Sequence, residues 1–111
     1  MKSGIADFFT RKRTAIEERD YPRHIDVVRS AVAGTFRSLG WKAHATKSGL
    51  VEGSWTGLFG TEGSVVIRIL SVKTATRVRV ESVARKGGFD FGQNANKVRE
   101  FFLKLDASLP V

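Results

Sequence analysis

The 111-residue chain reads as an α+β domain: a meander of four antiparallel strands with two helices packed on one face, behind a short helical leader. Three observations predict this. Ile25, Val28, Val32, Phe36 and Leu39 recur at spacings of three and four, the period of a helix with one buried face. Between Trp41 and Arg85, four alternating or β-branched stretches are separated by short turns, as in a meander of hairpins. A second helical stripe, Ala95, Val98, Phe102, Leu105 and Leu109, closes the chain. The order helix, four strands, helix gives an antiparallel sheet covered on one side.

Residues 1–22 form the predicted leader, and 23–111 the single domain; the chain is too short for two. In the leader, Ile5, Phe9, Lys12 and Ile16 share a helical face, with Phe8 beside them. Lys12 breaks the stripe, so the segment reads either as a basic amphipathic arm or as a loose terminus. Tyr21-Pro22 ends it, because proline restricts the residue before it. The first domain helix starts between Arg23 and Val27 and runs to Leu39, with Arg29 and Arg37 facing away from the core. Gly40 stops it as a C-cap. Gly34 is either a weak point or a place of close approach to a sheet.

The strands follow in order. Trp41–Lys47 alternates, with Trp41, Ala43 and Ala45 on one side and Lys42, His44 and Thr46 on the other. Leu50–Phe59 places Val51, Trp55 and Phe59 together. Ser64–Val72 is apolar and β-branched, hence central. Thr76–Arg85 alternates most cleanly: Val78, Val80, Ser82 and Ala84 inward, Arg77, Arg79, Glu81, Val83 and Arg85 outward. Gly57, Gly60 and Gly63 read as turn and bulge glycines. Trp41, Trp55 and Phe59 read as core, not as a platform for stacking bases. The last helix runs from Phe91 to Ser108, with Pro110 just beyond it.

The segment Arg85-Lys86-Gly87-Gly88-Phe89-Asp90-Phe91-Gly92-Gln93-Asn94 carries a strand through a glycine turn into that helix. Asp90 and Gln93 have the spacing of a capping box. Asp90, Gly92, Gln93 and Asn94 are therefore read as a structural motif, with Asp90 as N-cap and Gly92 packed closely on a neighbour. The same stretch carries a resemblance. Arg85, Gly87, Asp90, Gly92, Asn94, Ala95, Lys97 and Val98 match in register the C-terminal signature of the bacterial domain-of-unknown-function family 1499. The Leu39-Gly40-Trp41 junction and Arg68 within Val66-Ile67-Arg68-Ile69 are similar to that family too. The chain differs from it at Ala84, where a second serine is common, and at Gly63-Ser64, where an acidic pair is common. Members often carry membrane helices ahead of the domain. The resemblance supports the fold and implies no known activity, substrate or cofactor.

Composition excludes several function classes. With no cysteine there is no disulfide, thiolate metal site or cysteine nucleophile. The longest uncharged stretch, Gly53–Thr61, is less than half of the roughly 20 residues a spanning helix needs. The expectation is a soluble domain, cytoplasmic by default. His24 and His44 are the only histidines and stand far apart, so no metal site and no cofactor are expected. No segment supplies a nucleophile with a base and an orienting third group, so no catalytic residue is assigned and the chain is read as a non-enzyme.

The net charge is +8. Residues 1–22 hold five basic and four acidic side chains, and residues 23–111 hold fourteen and seven, an excess of +7. A field of that sign favours anionic partners. Arg77, Arg79 and Arg85 project from one side of one strand, with Arg68 on its neighbour. These four are the predicted binding residues of a non-catalytic module whose open sheet face meets an acidic protein or an anionic membrane surface. The alternative is nucleic acid on the same face, although no exposed aromatic stands among the arginines. A merely solvated, charged face is the plainer reading, since charged rows also protect sheets from aggregation.

Overall fold

A computed structural model describes residues 14–47, 49–86 and 92–110. The side chains of Ala45, Phe59, Arg85 and Lys86 also lie outside the described set. The element order is β1 (Thr14–Tyr21), α1 (Ile25–Leu39), β2 (Lys42–Lys47), β3 (Leu50–Thr56), a 3₁₀ turn (Leu58–Gly60), β4 (Glu62–Val72), β5 (Ala75–Lys86) and α2 (Gln93–Ser108). The strands make one antiparallel sheet in the order β1-β5-β4-β3-β2.

The α+β class and the meander β2 to β5 match the expectation. The strand count does not. Among the described residues the sheet has five strands, because the C-terminal third of the expected helical leader is β1, paired with β5 from Thr14↔Val83 to Tyr21↔Thr76. Thr14-Ala15-Ile16-Glu17-Glu18-Arg19-Asp20-Tyr21 has strong charges on both faces, which hides the period of two. Its partner decides the conformation: β5 would otherwise be an unpaired sheet edge with a full row of open N–H and C=O groups. The domain therefore includes residues previously assigned to the leader. Residues 1–13 lie outside the described residues.

Helix α1 begins at His24, whose Nδ1 accepts the Asp26 backbone N–H at 3.2 Å. It ends at Gly40, in the left-handed conformation at φ 72°. The N–H of Trp41 reaches the Phe36 carbonyl and that of Gly40 the Arg37 carbonyl, satisfying carbonyls the helix end leaves open. The buried residues Val28, Val32 and Phe36 follow the expected stripe, with Ile25 and Leu39 packed at its ends. They join Val98, Phe101, Phe102 and Leu105 of α2, and Val65, Ile67, Ile69, Val78 and Val80 of the sheet, in one core. Phe36, Trp41 and Phe101 meet edge-on and stacked, at ring-centre distances of 5.6 to 6.2 Å. Gly53 allows the helix to approach: a Cβ there would stand 2.6 Å from the Phe36 ring and 2.4 Å from the Lys42 carbonyl oxygen.

Gly34 does not lie close on the sheet. The atom nearest a Cβ built there is Arg37 Nη2 at 3.7 Å.

Two register details depart from the expectation. A bulge between Ala43 and Ala45 shifts β2, so strict alternation through Lys47 fails. The second apolar stripe begins differently as well: Ala95 is exposed, and the polar Gln93 and Asn94 are the buried residues of that first turn.

Candidate functional site

The four arginines assigned to the sheet face do not act as one set. Cross-strand pairing aligns Glu18, Arg79 and Arg68 in one row, and Asp20, Arg77 and Leu70 in the next. Arg77 donates to both Asp20 oxygens, from Nε at 2.9 Å and Nη2 at 3.1 Å, and Arg79 Nη1 lies 3.3 Å from Glu18. The hydrogen bonds from Arg77 hold the Asp20 carboxyl below its usual range, and Asp20 raises the Arg77 guanidinium in turn. Glu81, Glu52 and Glu62 stand on the same side, among Lys42, Arg68 and the paired arginines. Arg85 has a side chain outside the described residues. With β1 inside the domain, Arg19 joins the basic count and Glu17, Glu18 and Asp20 the acidic one: fifteen against ten from residue 14 onward, an excess of +5. The missed strand thus brings the counter-charges to two of the four arginines.

On the covered side of β1, Tyr21 donates its hydroxyl to Asp106 at 2.6 Å, and Arg19 pairs with Asp106 and Glu17 while lying over the Phe102 ring. Burial first, and then the bond to Asp106, push the Tyr21 phenol well above its ordinary value. These contacts fasten β1 to α2, and they are fully absorbed in doing so.

The described part of the C-terminal motif makes contacts other than those expected. Asp90 lies outside the described residues. The N-cap position of α2 is Gly92, at φ 79°, with no side-chain cap. Nothing lies within 4 Å of a Cβ built on Gly92, so its role is the left-handed conformation and not close packing. Gln93 does not complete a capping box. Its Oε1 accepts the Leu58 N–H at 2.9 Å and its Nε2 donates to Thr61 Oγ1 at 3.2 Å, tying α2 to the 3₁₀ corner. Asn94 closes a buried relay: Trp55 Nε1 donates to Ser82 Oγ at 2.7 Å, and Ser82 Oγ donates to Asn94 Oδ1 at 2.7 Å. Lys97 Nζ stands 5.6 Å from the centre of the Trp55 ring.

His44 Nε2 and Ser54 Oγ are 2.7 Å apart on the open face. His44 is exposed and Ser54 half-buried, and no described carboxylate holds the other ring nitrogen, so the geometry lacks the third group that fixes a working base.

A concave site forms on the helix side, where no binding residue was expected. Arg29, Val32, Ala33, Phe36 and Arg37 line one wall of a pocket of about 300 Å³, and the β2–β3 hairpin lines the other through Ala43, Thr46, Lys47, Leu50 and Val51. Trp41, Gly49 and Ile69 complete it. Its walls are chiefly apolar, and every charged residue lining it is cationic: Arg29, Arg37 and Lys47. Arg29 and Arg37, expected to face away, flank the buried stripe and form the rim. Spacings of three, four, seven and eight from Arg29 were visible in the sequence, as was the small Ala33 between them. What was not visible is the bulge in β2, after which Thr46 lines the helix-side pocket.

A model of the family described as "Protein of unknown function (DUF1499)" matches residues 5–105. The chain belongs to this family. No curated protein is significantly similar to it. Among solved structures, it is similar to protein MLL2253 from Mesorhizobium loti (15% identity, TM-score 0.67, covering 87% of this chain and 96% of that one). It is also similar to Ara h 8.0201 (12%, TM-score 0.62, covering 86% and 93%) and to Mll3558 from Rhizobium loti (15%, TM-score 0.62, covering 86% and 96%). At these identities the likeness is one of fold. Of the eight motif residues in this sequence, Gly92, Asn94, Ala95, Lys97 and Val98 are fully described, and all but the exposed Ala95 have a visible task. Those four set the start of α2, the buried relay, a cation over Trp55 and a core contact. Among the described residues no helix is long and apolar enough to cross a membrane.

Proposed function

We propose that this DUF1499 domain is a non-catalytic binding module whose ligand seat is the pocket between α1 and the β2–β3 hairpin. The observation that carries this is the pocket itself: about 300 Å³ with apolar walls, at the lower end of the roughly 300–1,000 Å³ range of small-molecule sites. Arg29 and Arg37 lie eight residues apart on α1, so the trough extends about 12 Å along the helix. An extended chain of eight or so carbons has that length. The open sheet face is the weaker candidate for the main contact, because Arg77 and Arg79 already face Asp20 and Glu18. An acidic protein or an anionic membrane would have to break those pairs or rely, among the described residues, on Arg68 and Lys42. Nucleic acid is less favoured still, since the described aromatic side chains are in the core.

The test uses the full chain and 1-octanol, a neutral probe of matching length, by calorimetry. Saturable binding is expected, weakened about tenfold in Ala33→Phe, which places a ring in the pocket from an exposed helix position. Octanol binding unchanged by Ala33→Phe, but lost on Arg68→Glu, would move the seat to the sheet face. No saturable binding at all would remove the pocket reading.

A further inference from the structure

The chemistry of the pocket's occupant can be taken one step further, on the strength of the ligand-seat reading above. We propose that the ligand is an amphipathic monoanion, a carboxylate on an aliphatic body, with its carboxylate held by Arg37 and the indole N–H of Trp41. Two independent observations lead there. The first is sign. Three cationic side chains and no acidic one line the pocket. Arg29 is partly neutralised by Asp26 at 3.6 Å, whereas no described carboxylate pairs with Arg37 or Lys47. The second is an orphaned donor. Trp41 is a wall of the pocket and 7% exposed, and its Nε1 is buried with no hydrogen-bond partner. Trp55, the other tryptophan, has its N–H fully used by Ser82. A buried N–H without an acceptor is unfavourable, and native folds rarely leave one.

Arg37 and Trp41 sit at the same end of the trough, since α1 ends at Leu39 and the chain turns back through Trp41 into β2. A carboxylate there would pair with the charged Arg37 guanidinium; Trp41 Nε1 is closed to solvent, so the indole must turn for its N–H to reach the second oxygen, while the alkyl body lies along Val32, Phe36 and Val51. A neutral head would satisfy the indole and leave the cation without a counter-charge. A cationic head would meet like charge.

The experiment compares octanoate, 1-octanol and octyltrimethylammonium on the full chain by calorimetry, and follows the Trp41 indole N–H by NMR. Octanoate is expected to bind about tenfold tighter than octanol, the scale of a charge-assisted hydrogen bond. Arg37→Gln should bring octanoate to the octanol level and leave octanol unchanged. Trp41→Phe should also reduce the preference. Because that variant alters the core, Arg37→Gln, at an exposed position, is the deciding one. Equal binding of octanoate and octanol would overturn the anion assignment while leaving the pocket reading intact. Loss of the preference in Lys47→Gln and not in Arg37→Gln would overturn the placement of the head. Arg37-dependent binding to phosphatidylglycerol vesicles without binding of free octanoate would overturn the free carboxylate in favour of a lipid surface. Failure of both octanol and octanoate would remove the pocket reading and this inference together.

Discussion

Ser82 is the position at which one missing atom should damage the fold most clearly. It is fully buried in β5, accepts from Trp55 Nε1 and donates to Asn94 Oδ1, each at 2.7 Å. Ser82→Ala removes the middle of the relay and leaves the indole N–H and the amide oxygen without these partners inside the core. An orphaned buried polar group costs about 1–3 kcal/mol, so losing both partners should cost at least about 2 kcal/mol. Against a total of about 5–15 kcal/mol for a domain of this size, that is a large share. At roughly 4–8 °C per kcal/mol, the melting temperature should fall by at least about 8 °C. Ser54→Ala is the control. Its hydroxyl also makes a 2.7 Å contact, to His44, but on the exposed face, and the change should stay within about 0.5 kcal/mol. Calorimetric melts of both variants decide. If Ser82→Ala melts within two or three degrees of Ser54→Ala, the relay does not hold α2 to the sheet and the reasoning fails.

Three further outcomes follow from the same geometry. Tyr21 is the only tyrosine, and its phenol is raised by burial and Asp106. Folding thus favours its protonated form: stability is fully present below the unfolded value of about 10 and falls as pH rises above it. Phenolate absorbance should therefore appear only as the chain unfolds; a phenolate that titrates at its ordinary value in the folded protein contradicts the Tyr21–Asp106 bond. Gly92→Val should destabilise by about 1–2 kcal/mol through its left-handed backbone, and Gly92→Asn by much less, as urea titrations can read. Equal costs for the two would point to crowding in place of backbone conformation. Gly34→Ala should raise stability by about 0.5–1 kcal/mol, since a Cβ there meets only the end of Arg37 at 3.7 Å; a lower melting temperature would refute the free space.

Most of the fold was legible because its signals are local. The stripe Val28, Val32, Phe36 has helix period, Gly40 marks its end, and the alternation from Val78 to Ala84 needs only its own residues. The errors arose where distant partners decide. Thr14–Tyr21 carries no clear period of its own and becomes a strand because β5 offers it an edge. That strand brings Asp20 and Glu18 to Arg77 and Arg79, so the same missed element also changed the character of the expected binding face. Gln93 has capping-box spacing from Asp90, yet its amide is claimed by Leu58 and Thr61, more than thirty residues away. Asn94 stood in the sequence only as part of a motif, and its partner Ser82 could be found only by folding the sheet against α2. The pocket was hidden for a related reason. It lies between two elements, and a bulge in β2 sets which hairpin residues line it.

The central claim is that ligands enter between α1 and the β2–β3 hairpin. The direct measurement is an amide and indole N–H NMR titration of the full chain with octanoate. Shifts confined to the Trp41 indole, Val32, Ala33, Gly49 and Val51, saturating together, are the predicted result. Shifts centred on Arg68, Arg77 and Arg79 with a silent Trp41 indole would place recognition on the open sheet face and contradict the account.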